Sequence, residues 1–232
     1  MPSDITMDEI RQFIQQIQND PGSIFNPEAV IRYGGITILC ITIFAESGLF
    51  FCFFFPGDSL VFTAGVLTAT GALPYHWSIV AALMILSAIF GNLVGYWFGK
   101  RTGSLLVKRK DTIFFRKEYV TTAENFYGRY GGMALVLGRF LPIIRTFAPI
   151  VAGVIELPFR RFFFYSSFGA IIWVLPIAGA GYFLGTIPFV QNNLGYIILA
   201  MVIGITSPVI YKMINENRKR KKLKSSAEGH VK

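Results

Sequence analysis

Charge is scarce in this chain, and scarcest where a soluble surface would need it. Only 15% of the 232 residues are Asp, Glu, Lys or Arg, against about 25% in an average soluble domain. Segments 34–99 and 130–211 together hold 148 residues and seven charges. No soluble globule hides apolar surface on that scale, so the chain reads as a polytopic membrane protein. Cysteine and histidine are scarce too. Cys40 and Cys52 both lie in apolar surroundings, which excludes a disulfide framework and a metal-ligand pattern and leaves them as small core residues. His76 and His230 are the only histidines, one in a short loop and one in a polar tail. No nucleophile–base pair is visible, so neither a cofactor, a metal nor an enzymatic reaction is expected. Residues 1–33 also lack the basic start and short apolar run of a signal peptide.

The charge that is present sits in three blocks. Residues 1–33 carry five acids and two arginines, 100–129 eight basic residues and three acids, and 212–232 eight basic residues and two acids. The net charge of +9 therefore borders apolar spans, where it reads as headgroup or cytoplasmic-face charge and not as a nucleic-acid surface.

Segment 1–33 reads as an amphipathic, interfacial segment. Thr6 and Glu9 have capping-box spacing, and Ile10, Phe13, Ile14 and Ile17 follow at helical intervals. Asn26-Pro27 looks like the start of a second short helix. Repeat 1 (34–99) opens with an apolar stretch, 34–75, broken by Phe-Phe-Phe-Pro56-Gly57-Asp58. Its second arm, 59–73, is too short at 1.5 Å per residue to cross about 30 Å of hydrocarbon. A re-entrant hairpin bent at Pro56-Gly57 is expected, followed by a transmembrane helix over 77–99, in which Gly91, Gly95 and Gly99 fall four apart as in close helix packing. A basic cytoplasmic linker with a short helix fills 100–130. Repeat 2 (131–186) has the same layout: a hairpin over 131–159, interrupted by Arg139, Pro142, Arg145 and Pro149, then a transmembrane helix over 162–186. Ala64-Gly65-Val66-Leu67 recurs as Ala152-Gly153-Val154-Ile155, and Gly95-Tyr96-Trp97-Phe98-Gly99 as Gly181-Tyr182-Phe183-Leu184-Gly185, which supports an internal repeat. A C-terminal transmembrane helix (194–212) and a basic tail (213–232) complete the all-α architecture. Because each unit makes one net crossing, the second is inverted relative to the first. The positive-inside rule then puts the 100–130 linker and the C-terminus in the cytoplasm.

Four charges fall where charge is costly: Glu46, Asp58, Arg139 and Arg145. Insertion scales put each at about 2.5–3.5 kcal/mol near a helix centre, on the order of 10 kcal/mol together if unpaired, which rivals the stability of a whole domain. The acids lie on the first hairpin and the arginines on the second, so the economical arrangement is two acids facing two arginines in a shared, partly wet site. Arginine binds phosphate with a planar fork, and a poorly solvated carboxylate can carry a proton at working pH. The pattern suits an anionic headgroup with a coupling proton; a structural ion-pair lock between the hairpins is the other reading of the same residues.

Two runs, ESGLFFCFFFPGDSLVFTAG (46–65) and GRFLPIIRTFAPIVAG (138–153), resemble the signature segments of the DedA (SNARE-associated, VTT-domain) family of integral membrane proteins. FFRKEYVTTAENFYGRYGG (114–132) and AGYFLGTIPFVQNNLG (180–195) are similar to its bacterial DedA subgroup. The resemblance implies a multi-pass protein of the bacterial inner membrane that moves phospholipid-type molecules between leaflets. It implies a flippase driven by the proton-motive force, with undecaprenyl phosphate or phosphatidylethanolamine as cargo. It maps the family's essential acids onto Glu46 and Asp58 and its arginines onto Arg139 and Arg145; on the leading reading the acids take up and release the proton, the arginines hold the lipid phosphate, and Pro56, Gly57, Pro142 and Pro149 are the structural bends. Many family members carry an acid after the first glycine of the 77–99 span, where this chain has Asn92, an accessory candidate. An uncoupled scramblase and a proton or ion antiporter are the alternatives; the expected partners are an anionic-headgroup lipid and protons, and a homo-oligomer is compatible with the sequence.

Overall fold

The computed structural model describes residues 11, 14, 15, 18, 27–49, 57–108, 127, 130–139, 142–201, 203 and 204. Most of residues 1–26, Cys52, Pro56, most of the 100–130 linker and the 205–232 tail lie outside them. The chain divides into two compact units, 1–192 and 193–232. In the first, the described helices are α1 (Pro27–Gly48), α2 (Gly57–Ala69), α3 (Trp77–Lys108), α4 (Met133–Gly138), α5 (Pro142–Val154), α6 (Phe159–Leu184) and the single-turn α7 (Pro188–Asn192). In the second, residues 194–201, 203 and 204 are helical, where the C-terminal span is expected to begin. No strand occurs among the described residues.

Two helical stretches, Trp77–Gly103 and Phe159–Leu184, are long and apolar enough to cross a membrane. At 27 and 26 residues each is about 40 Å long, more than the roughly 30 Å of hydrocarbon in a bilayer. The apolar helices Gly34–Gly48, Gly57–Ala69 and Ile144–Val154 have only 10–17 residues. The expected 77–99 span continues as helix to Lys108, and the expected 162–186 span starts at Phe159 and ends at Leu184. Polar residues from Lys100 onward end the apolar run without ending the helix, because Lys and Arg are good helix formers in water.

Helix α1 begins inside the segment read as 1–33, with Pro27 as its first residue. Gly35 interrupts it with φ 58° and ψ −161°, a conformation open to glycine and closed to side-chain-bearing residues. Helix α1 ends at Gly48 and α2 begins at Gly57, while α4 ends at Gly138 and α5 begins at Pro142. Pro142 occupies the first position of α5, where a missing N–H is harmless. Pro149, expected at a bend, lies inside α5, which is continuous through it.

Glycines set the packing. A Cβ on Gly65 would collide with the Ala178 carbonyl, and one on Gly181 with the Phe62 carbonyl, so α2 and α6 meet backbone to backbone. Likewise a Cβ on Gly153 would strike the Tyr96 carbonyl, and one on Gly99 the Ile150 carbonyl, joining α5 to α3. The repeated motifs found in the sequence therefore pack crosswise, each short second-arm helix against the long helix of the other half. In both pairs the contacts advance together: Gly181 lies on Phe62 and Gly185 on Val66, while Gly99 lies on Ile150 and Gly103 on Val154. Helix α2 is buried almost all round, from Gly57 to Leu67 with Asp58 alone part-exposed, as a central helix must be. Its Leu60, Val61 and Ala64 join Leu39 and Ile43 of α1, Met84 of α3 and Val174 of α6 in the main core. The outward faces of α3 and α6 are apolar, with Leu86, Phe90, Trp97, Phe164, Phe168 and Phe183 exposed.

Candidate functional site

The four predicted charges all stand at broken helix ends. Glu46 lies in the last turn of α1, Asp58 in the first turn of α2, Arg139 caps the C-terminus of α4, and Arg145 opens α5. Asp58 and Arg139 agree with the dipoles of their helices: an anion at an N-terminus, a cation at a C-terminus. Glu46 and Arg145 oppose theirs. The structure pairs those two opposed groups with each other, the Arg145 Nη2 donating to Glu46 Oε1. The other arm of the same guanidinium, Nη1, donates to Asp58 Oδ1 at 2.7 Å. Arg145 thus bridges both carboxylates, and α5 is joined through charge to α1 and α2.

Burial explains why these groups need each other. Glu46 is 2% exposed and the Asp58 and Arg145 side chains 15% and 11%. An uncompensated charge so placed is strongly destabilising. Gly57 makes the pairing possible, since a Cβ there would occupy the space of the Glu46 carboxylate. Its role is thus room for an acid as well as a turn. Pro149 contributes at a distance of one helical turn. It lacks the N–H that would close onto the Arg145 carbonyl.

Arg139 is placed differently. It is buried, and among the described residues it forms no ion pair. Its guanidinium carbon stands 5.1 Å from the centroid of the Trp173 ring, and that of Arg145 stands 5.0 Å from the same ring. Trp173 Nε1 donates to Asp58 Oδ1 at 2.6 Å. Arg139 Nε and Glu46 Oε2 have no hydrogen-bond partner among the described residues, so the cluster keeps open valences of both signs. Asn92 is held elsewhere: its amide donates to Ser166 Oγ at 2.8 Å, a buried link between α3 and α6.

Trp173 and Ser166 are absent from the residues that the sequence singles out. A signal for Trp173 exists. Trp77 and Trp97 fall near the ends of apolar runs, where aromatic belts place them, but Trp173 falls in the middle of a span, where its indole N–H must find a partner.

Comparison with known proteins follows the same residues. The family profile described as the VTT domain matches residues 55–183. Protein DedA of Escherichia coli (strain K12) is 40% identical over 195 residues, covering 82% of this chain and 88% of that protein. An uncharacterized membrane protein of Mycobacterium tuberculosis (strain ATCC 25618 / H37Rv) is 38% identical over 183 residues, 79% of this chain and 80% of the relative. Inner membrane protein YghB of Escherichia coli (strain K12) is 34% identical over 156 residues, 67% of this chain and 70% of its own length. No solved structure matches the chain.

Proposed function

The chain belongs to the VTT-domain (DedA) family of membrane proteins, and from that premise we propose that it is a proton-coupled flippase for a phosphate-bearing lipid. The cargo on this reading is undecaprenyl phosphate or phosphatidylethanolamine, and the protein acts as a transporter without a chemical step. One observation carries the proposal. Arg145 is tied directly to both Glu46 and Asp58 inside the fold, while Arg139 is buried without a direct ion pair among the described residues and feels Asp58 only through longer-range attraction.

The asymmetry suggests an order of events. A lipid phosphate entering the site meets Arg139 first, the cation without an ion pair. Protons taken up by Glu46 and Asp58 dissolve the two ion pairs of Arg145, whose planar fork then closes on the same phosphate. Release of the protons on the other side restores the acid–arginine pairs and expels the anion. The structural lock and the transport site are then one cluster in two protonation states.

The membrane arrangement proposed with it is an inverted repeat of two re-entrant hairpins in the bacterial inner membrane, with the C-terminus cytoplasmic. Support comes from the crosswise glycine contacts, which make α5 run with α3 and α2 run with α6. With α3 turned back on α2 by the short 70–76 link, corresponding helices of the two halves then point opposite ways. The test is translocation of undecaprenyl phosphate and of phosphatidylethanolamine by the purified protein in proteoliposomes, with and without an imposed pH gradient. Gradient-driven movement of either lipid is the expected result. Movement indifferent to the gradient would make the protein a scramblase, and movement of protons alone an antiporter.

A further inference from the structure

We propose that Trp173 is a positioning residue of the anion site, and that its ring keeps Arg139 out of the carboxylate pairs and open to a phosphate oxygen. The inference rests on the transport reading above. Two cations and two anions in one buried cluster would ordinarily pair off one to one, since each unpaired charge is expensive. Here they do not: one arginine holds both acids. The ring of Trp173 explains the difference. Its face lies within cation–π range of both guanidinium groups, at 5.1 and 5.0 Å, so Arg139 has an attractive partner that is not an acid. Its indole N–H takes up Asp58 Oδ1 at 2.6 Å, the same oxygen that Arg145 Nη1 engages. That oxygen therefore already accepts two hydrogen bonds, and Arg139 is left to attract Asp58 without a direct ion pair.

The surrounding helix is shaped for this task. One turn before Trp173, Gly169 lies 3.5 Å, measured from where its Cβ would be, from Arg139 Cδ and from Val136 Cα. The aliphatic stem of Arg139 thus runs over a glycine and its head reaches the ring on the next turn. The charged groups around Asp58 are Arg145 from α5, Arg139 from the turn after α4 and Glu46 from α1; among the described residues α3 and α6 add none to this face. The ligand chemistry that fits a cation on an aromatic shelf beside a second, acid-bound arginine is a phosphate monoester or diester, whether free or on a lipid.

The experiment is calorimetric titration of detergent-purified full-length protein with three probes: inorganic phosphate, dihexanoyl phosphatidic acid and zwitterionic dihexanoyl phosphatidylcholine. Wild type, Trp173→Phe and Trp173→Met are compared, with thermal unfolding of each as a check on folding. Trp173→Phe keeps a π-face and should bind phosphatidic acid within about threefold of wild type. Trp173→Met keeps bulk without a ring and should bind about thirtyfold more weakly, the size of a desolvated cation–π contact. Selective binding of phosphatidic acid over inorganic phosphate identifies a lipid headgroup; equal binding identifies the phosphate group alone, and either fits the inference if the Phe–Met difference holds. Equal affinity in all three proteins overturns the role of Trp173 and leaves the transport reading standing. Absence of binding by folded wild type to either phosphate probe overturns the transport reading and the inference with it. If Trp173→Met fails to fold, Trp173→Phe decides: a tenfold loss there, with unfolding unchanged, contradicts the claim that the ring face is what matters.

Discussion

At the scale of single residues, the account turns on which charges are content alone. Glu46 and Arg145 sit at helix ends of the wrong polarity and rely on each other, so removing either strands its partner. Arg145→Gln should lower stability by about 3–5 kcal/mol, the cost of leaving a buried charge uncompensated. Glu46→Gln combined with Arg145→Gln should recover part of that loss, because Glu46 is then no longer stranded while Asp58 still lacks its guanidinium, and transport stays absent. Thermal unfolding of the single and double variants in detergent checks this, and a double variant no more stable than its parents would contradict the pairing. Asn92→Leu is predicted to cost about 1–3 kcal/mol by leaving Ser166 without its partner and a bulkier side chain between α3 and α6. The four charges were legible in the sequence because charge inside an apolar run has no bland explanation. Trp173 was not, since an aromatic side chain in a span resembles every other apolar neighbour until its N–H is seen to need an acceptor.

Between elements, backbone contact at glycine does the work that hydrophobic burial does in water. Lipid tails are as apolar as leucine, so helices in a bilayer associate through close approach. Gly65→Ala and Gly153→Ala would each drive a methyl into a neighbouring carbonyl, and overpacking of that kind costs about 1–3 kcal/mol. Gly179→Ala is the control: its Cβ would meet open space, so the substitution should be neutral or add up to about 1 kcal/mol of helix propensity. Unfolding midpoints of the three variants test the contrast. The repeated AGV and GYxxG segments could be matched in the sequence, but not their crosswise partners, because partner choice depends on three-dimensional contacts that a one-dimensional repeat does not encode. Helix limits were hidden for a local reason at each end. At Gly35 a single residue breaks a helix without altering the apolar pattern, and beyond Lys100 a helix outlasts the hydrophobic run that revealed it.

Across the whole molecule, apolar surface and formal charge fall in different stretches of the chain. The apolar outward faces of α3 and α6 suit hydrocarbon, and the basic blocks at 100–129 and 212–232 lie outside the apolar stretches. The positive-inside rule predicts that a reporter fused after Lys232 is active only in the cytoplasm; activity on the other side would reverse every assigned orientation at once. The central claim is narrower, that a buried bridge from Arg145 to two acids opens to take a lipid phosphate. The most direct measurement is translocation of undecaprenyl phosphate under a pH gradient by Arg145→Ala in proteoliposomes, with insertion and folding verified beside wild type. The account predicts an inserted, folded protein that moves no lipid; movement at the wild-type rate would contradict it.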